Sequence, residues 1–401
     1  MSLFDKVTLA APDAIFGLTA AYIADRRSNK VNLMVGYYRN ADLKTPILNT
    51  VKKAERFLTE KSADKEYLPF AGDKIFVERS GMLVFGEKLW HGASNRIHGA
   101  QTVGGTGALK IGGDFLKQEV SDSIYLSDPT WPNHRGVFTR CGFNVKEYPY
   151  YDRERKALDF DRLLKFLSDL KSKDIVVLHS CCHNPTGCDL SLEQWKIISD
   201  VILQKKIVPF FDSAYQGFAK GTDEDAQSIR MFLENGHEML IACSYAKNFS
   251  LYGERVGVLF VVAGSPQNIA NVGSRINSII RTTYSNPPMH GAQIVAHILS
   301  DTALKKEWES ELSSMRKRIM EMRKAFVSAL SAKSKQDFSF LIDRNGLFCF
   351  SGLTKEQVDH LISEYGIYMT GDGRINIAGL NRDNLEYVVN AISAVLQGVA
   401  P

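Results

Sequence analysis

The chain has 401 residues, too many for one ordinary hydrophobic core, so two domains are expected. Hydrophobic residues make up 44% and charged residues 23%, and no apolar run reaches membrane-spanning length, which excludes a helical membrane protein. The net charge of +4 comes from intermixed acids and bases without a basic stripe, which argues against nucleic acid as a partner, and the six cysteines form no C-x-x-C pair.

In chain order, the first chemically suggestive stretch is Gly104-Gly105-Thr106-Gly107-Ala108-Leu109, which leads into helix-like sequence as far as Val120. Glycines let backbone N–H groups approach a phosphate at a helix N-terminus; a plain glycine turn reads equally well. A strand candidate, Ile124-Tyr125-Leu126, precedes Asp128-Pro129-Thr130-Trp131-Pro132-Asn133-His134. The Trp131 indole in that proline-fixed loop could stack on a flat ring or pack at the surface.

Ile175-Val176-Val177-Leu178 is the next strand, followed by His179 and by His183-Asn184-Pro185-Thr186-Gly187. Asn-Pro makes a common turn, but the same turn at a strand end could aim the Asn184 amide into a cleft. His179, Cys181, Cys182, His183 and Cys188 do not have standard metal-site spacing, so no metal is expected. Ser191 and Gln194 have capping-box spacing for a following helix.

The run Ile207-Val208-Pro209-Phe210-Phe211 ends at Asp212, with Tyr215 three residues on. A carboxylate behind an apolar run needs a cationic or strong-donor partner, such as a pyridinium nitrogen, or else serves as a helix cap. The run Met239 to Ala246 closes on Lys247, and Ser244 and Arg255 stand nearby. An amine desolvated at a strand end loses its proton more easily and becomes a nucleophile towards carbonyls. Val256 to Val262 is a further strand. Strands alternating with helices predict a mostly parallel α/β sheet, with ligands at the strands' carboxyl ends.

Arg281 precedes Tyr284-Ser285-Asn286-Pro287-Pro288. A long helix should begin near Ser300 or Asp301, with Leu304, Trp308, Leu312, Met315, Ile319, Met322, Phe326 and Leu330 on one core-facing stripe. Phe338 to Ile342, Leu347 to Phe350, a helix capped by Thr354 and Gln357, and Arg374 to Ile377 predict a smaller α+β domain joined through that helix. Arg281 and Arg374 are each suited to binding a carboxylate in bidentate fashion.

Taken together, VNLMVGYY (31–38), KEYLPFAG (65–72), QTVGGTGAL (101–109), DPTWPNH (128–134), HSCCHNPTG (179–187), FFDSAYQGFAKG (210–221), SYAKNFSLYGERVG (244–257), RTTYSNPPMHGA (281–292), NGLFCFSGLT (345–354) and GRINIAGL (373–380) resemble the class I aspartate aminotransferases. The likeness is strongest to the bacterial aspartate and aromatic branch of these fold-type-I enzymes, which use pyridoxal 5′-phosphate (PLP). The resemblance implies an N-terminal arm over residues 1–12, a small domain over 13–45 and 313–401, and a large PLP-binding domain over 46–312. It implies that Lys247 carries PLP and serves as catalytic base. Gly105, Thr106, Ser244 and Arg255 would hold the phosphate, with Tyr67 reaching in from a second subunit. Asp212 would pair with the ring nitrogen, supported by His179; Tyr215 and Asn184 would bond the ring oxygen; and Trp131 would stack on the ring.

For the substrate, the resemblance implies Arg374 at the α-carboxylate, helped by Asn184, Trp131 and Gly36. Arg281 of a neighbouring subunit would take the distal carboxylate of aspartate or glutamate. A cytoplasmic homodimer with shared sites is expected, running ping-pong transamination between L-aspartate and 2-oxoglutarate. Tyr37 departs from the small aliphatic residue common in aspartate-specific relatives, which leaves a broad aromatic aminotransferase as the alternative. The family also holds the peptide bonds before Pro129 and Pro185 cis.

Overall fold

The computed structural model of the protein describes residues 2–9, 14–61, 64–334 and 336–398. At its centre lies a seven-stranded sheet: β1 (Ile97–Val103), β2 (Ser123–Asp128), β3 (Asn144–Pro149), β4 (Ile175–His179), β5 (Val208–Ser213), β6 (Met239–Ser244) and β7 (Val256–Val262). Their order across the sheet is β1-β7-β6-β5-β4-β2-β3. All neighbours are parallel except at β7, which runs antiparallel to both β1 and β6. The fold is therefore the expected α/β architecture. β1 and β3, the two edge strands, escape an apolar-run criterion; β3 leaves Asn144, Lys146 and Glu147 exposed.

Both sheet faces are buried, as parallel sheets require. In β6, Met239, Ile241 and Cys243 enter one core cluster, while Leu240 and Ala242 enter the other. β4 and β7 alternate in the same way. Helix Gly104–Glu119 covers one face through Leu109, Ile111, Phe115 and Leu116. Helix Leu192–Lys205 covers the other through Trp195, Ile198 and Ile202, and the Ser191–Gln194 capping box is formed.

The long helix runs from Thr302 to Lys333, with the Asp301 carboxylate accepting from the N–H groups of Ala303 and Leu304. Six residues of its apolar stripe are buried, and Leu304 and Met322 are half-buried. The expected boundary at 312/313 falls within this unbroken helix. Beyond it lie helices Lys355–Tyr365 and Arg382–Gln397 and the antiparallel pair Phe348–Phe350 with Arg374–Asn376. The Phe338 to Ile342 stretch is a 3₁₀ turn over Ser339–Leu341.

An early segment joins this second unit. Val31–Asn32 pairs in parallel with Ile367–Tyr368, and Arg27 donates to the carbonyls of Ile362 and Ser363 at the end of helix Lys355–Tyr365. Of the expected N-terminal arm and the start of the small domain, residues 1 and 10–13 lie outside the described residues.

Candidate active site

Register levels the carboxyl ends of the central strands: His179 faces Asp212, and Asp212 faces Ala242. Over these ends sits a 210 Å³ cavity bordered by Gly36, Gly105, Thr106, Trp131, Asn184, Asp212, Tyr215, Ser244, Lys247, Arg255 and Arg374. A larger 550 Å³ cavity beside Asp189, Lys220 and Arg323 gathers none of these groups, so volume does not identify the site.

One end of the cavity is built for an anion. Helix Gly104–Glu119 opens without a side-chain cap; the Gly104 N–H donates to Arg255 O at 2.9 Å, which leaves the following N–H groups of the first turn available. Gly104 has φ +67°, and a Cβ there would meet Arg255 Nη2 at 2.6 Å. A Cβ on Gly105 would stand 3.0 Å from the Ser244 Cβ. Glycine is thus what allows the helix N-terminus, Ser244 and Arg255 to close on a common point. The Arg255 guanidinium is anchored by donating to Tyr252 O at 3.0 Å.

The floor holds Asp212, buried within β5 rather than just beyond it. Its Oδ2 accepts from His134 Nε2 at 3.0 Å. Behind His134, Thr130 Oγ1 stands 2.8 Å from His134 Nδ1 and 3.3 Å from His179 Nε2, and the Asn184 N–H faces His179 Nδ1 at 3.5 Å. That N–H makes His179 Nδ1 an acceptor and puts its proton on Nε2, so the Thr130 hydroxyl donates onward to His134 Nδ1. By this assignment His134 keeps Nε2–H for Asp212. Burial drives the Asp212 pKa up, but the influences led by the His134 hydrogen bond outweigh it and hold the carboxyl below its usual range. His179 makes no direct bond to Asp212 and stands behind it, linked through Thr130 Oγ1 and His134. Adjacent strands place their backbones in register, but the ring that reaches the carboxylate comes from helix Pro132–Arg140. Burial holds His179 neutral, with a pKa lowered to about 3.

Lys247 also sits differently from expected. β6 ends at Ser244, and Lys247 lies three residues further on in a turn pinned by Trp308 Nε1, which donates to Asn248 O at 2.8 Å. Burial lowers the Lys247 pKa; nearby Asp212 opposes this and Arg255 adds to it. The amine stands 5.0 Å from the centre of the Tyr215 ring. Asn184 likewise lies past the end of β4, where its Nδ2 donates to Tyr215 Oη at 3.5 Å. The bonds before Pro129 and Pro185 are cis, and Trp131 borders the cavity.

Arg374, on the wall of the same cavity, is only 3% exposed. Its Nη1 donates to Asn184 Oδ1 at 3.4 Å and its Nη2 to Met34 O at 3.2 Å, while its buried Nε has no partner among the described residues. A cation buried in a cavity wall with an unsatisfied donor is matched to a carboxylate.

Tyr67 and Arg281 do not border this cavity. Tyr67 is 92% exposed, and Arg281 is exposed and donates to Ser285 Oγ. They share a surface: Asn286 Nδ2 donates to Leu68 O, and Arg281 lies over the Phe70 ring. Four contributors had no assigned role in the sequence: His134 and Thr130 behind Asp212, Phe348, whose ring lies under the Arg374 guanidinium at 4.6 Å, and Asn376, which donates to the carbonyls flanking Gly36. His134 and Thr130 lie within the Asp128 to His134 segment, and Asn376 shares the strand of Arg374, so position offered a signal for three of them.

The donor set fits PLP. The helix N-terminus, Ser244 and Arg255 suit a phosphate, Asp212 a protonated ring nitrogen, Tyr215 and Asn184 a ring oxygen, and Lys247 a carbonyl. Comparison with known proteins agrees. Residues 28–392 match the family model for aminotransferase class I and II. The chain is 46% identical to the aspartate aminotransferase of Escherichia coli over 396 residues, covering 98% of this chain and 100% of that protein. Its structure is similar to the aromatic-amino-acid aminotransferase of Burkholderia pseudomallei covalently bound to pyridoxal phosphate, with a TM-score of 0.96, 45% identity and coverage of 99% and 100% of the two chains. It is also similar to the aromatic amino acid aminotransferase of Psychrobacter sp. B6 cocrystallised with aspartic acid, with a TM-score of 0.96, 40% identity and coverage of 98% and 100%. The chain belongs to the class I and II aminotransferases, as a PLP-dependent enzyme of fold type I.

Proposed function

We propose that the protein is an aspartate aminotransferase that passes the amino group of L-aspartate to 2-oxoglutarate in a reversible ping-pong reaction. The observation that carries the transamination is Arg374, a buried guanidinium, unpaired at Nε among the described residues, beside Asn184 and on the same cavity as Lys247; the aspartate preference rests on Arg281. Arg374 supplies a carboxylate seat within reach of an amine whose pKa is lowered.

PLP supplies an electrophilic carbonyl and an electron-accepting ring. The chain's own residues do the rest. Arg374 and Asn184 fix the substrate α-carboxylate and so orient the Cα–H bond. Lys247 Nζ, favoured in its neutral form by burial, takes the proton from Cα and later returns it. Asp212, held anionic by His134, keeps the opposing ring nitrogen protonated. The phosphate seat keeps the ring in place throughout.

The exposed Tyr67 and Arg281 support a homodimer in which each chain completes the other's site, Tyr67 at the phosphate and Arg281 at the distal carboxylate. A cytoplasmic location is part of the same reading. Tyr37 favours a second reading, a broad aromatic aminotransferase. Its ring packs edge-on to Tyr252, with centroids 5.7 Å apart, and forms an aromatic surface near Gly36. The two solved structures described above carry aromatic names, and one was crystallised with aspartic acid. Measuring kcat/KM for aspartate, tyrosine and phenylalanine decides between them. Aspartate should lead, and Arg281→Ala should depress aspartate far more than phenylalanine; aromatic rates equal to or above the aspartate rate refute the first reading.

A further inference from the structure

The Gly36 loop is held from two sides. On one side it is fastened to the strand Arg374–Asn376. Asn376 Nδ2 donates to Val35 O at 2.7 Å and to Tyr37 O at 2.9 Å, and Arg374 donates to Met34 O. On the other side stands Tyr252, in the turn between β6 and β7. Its hydroxyl oxygen accepts the Tyr38 N–H at 2.8 Å, across 214 residues of sequence, and its ring packs on Tyr37. The same turn carries Lys247, and the Tyr252 carbonyl accepts from Arg255 Nη1. One residue thus bridges the phosphate arginine, through its carbonyl, and the Gly36 loop, through its hydroxyl.

We propose that the Tyr252 hydroxyl is a positioning group for substrate: it clasps the Gly36–Tyr38 loop to the turn bearing Lys247 and Arg255, and so sets the distance between the carboxylate seat and the reacting amine. The proposal rests on the reading that Arg374 and Gly36 receive the substrate carboxylate. Tyr252 does not touch the reacting atoms; it acts through the Tyr38 peptide. Without the hydroxyl, Asn376 still holds the loop from its own side, so the loop loosens without detaching. Amino acid binding should then weaken while PLP binding and the chemical step persist.

A second bond from the same turn provides a control. Ser250 Oγ donates to Pro46 O at 2.7 Å, which also ties the turn to the early segment but ten residues beyond Gly36. Tyr252→Phe and Ser250→Ala each remove one hydroxyl. The experiment compares both variants with the wild-type holoenzyme, using whichever amino acid the wild type turns over fastest. Tyr252→Phe should raise KM about fivefold, the scale of one net hydrogen bond, with kcat and the PLP Kd within about twofold of wild type. Hydrogen exchange in the peptide covering 33–40 should accelerate in Tyr252→Phe. Ser250→Ala should leave both KM and that exchange rate near wild type.

An unchanged KM or an unchanged exchange rate in Tyr252→Phe overturns the proposal. So does a PLP Kd that rises in step with KM, or a Ser250→Ala variant that matches Tyr252→Phe. A wild-type protein inactive on every amino acid defeats the functional reading instead, while the exchange comparison still tests the clasp.

Discussion

Gly257→Ala puts the phosphate seat under direct test. Gly257 lies in β7 opposite Ser244 on one side and Thr102 on the other. A Cβ at Gly257 would stand 2.4 Å from the Gly104 carbonyl carbon, 2.5 Å from its oxygen and 2.9 Å from Cys243 O. All three are backbone atoms, so no side chain can swing aside. Relief to ordinary contact requires the strand and the start of helix Gly104–Glu119 to separate by about 1 Å, against the Gly104 N–H bond to Arg255 O. Overpacking of this kind costs about 1–3 kcal/mol. The shift moves the helix N-terminus away from Ser244 and Arg255 together, so PLP affinity should fall at least about tenfold, which is 1.4 kcal/mol of lost binding. The assay is an absorbance titration of apo-protein with PLP, alongside thermal unfolding. Gly107→Ala is the control, since its Cβ meets nothing closer than 3.4 Å. It should bind PLP normally and gain up to about 1 kcal/mol of helix stability. Wild-type PLP affinity and melting temperature in Gly257→Ala would refute this account of the seat.

Lys247→Ala should abolish transamination, by at least about 10²–10⁴-fold. It should still bind some PLP through Asp212 and the phosphate seat; single-turnover absorbance with aspartate checks this, and an active variant removes Lys247 from the mechanism. Acid stability should reflect buried neutral histidines. Burial holds His179 at about 3 and His237 at about 4, both below the unfolded value near 6.5. The unfolded chain therefore takes up protons first on acidification: each histidine's contribution is intact above pH 6.5 and drains away down to its folded pKa. At pH 5.5 each should cost about 1.4 kcal/mol. Urea unfolding at pH 7.5 and 5.5 should show this loss, and an unchanged midpoint contradicts it.

Much of the site was legible because chemical groups stand out against apolar strands. Asp212 and Lys247 each follow such a run, and the Gly104–Gly107 turn precedes a helix-like stretch. The central strands themselves were legible, since their residues are buried on both faces, but not the edge strands β1 and β3, whose sequences mix polar with apolar residues. Arg281 and Tyr67 could be named, yet one chain leaves them on an outer surface away from the 210 Å³ cavity.

The sequence by itself determined the residue types, their order and the alternating α/β pattern, because these follow from local periodicity and from polar groups placed after apolar runs. Tertiary structure decided which groups meet. His134 rather than His179 bonds Asp212, because a helix start brings that ring to the carboxylate while strand register aligns only backbones. Lys247 stands in a turn beyond β6 because Trp308, from the long helix, pins that turn. Tyr252 reaches Tyr38 because the chain folds the two segments together. Hydrogen bonds extend about 3 Å, and proximity between residues distant in sequence is set by packing rather than by pattern.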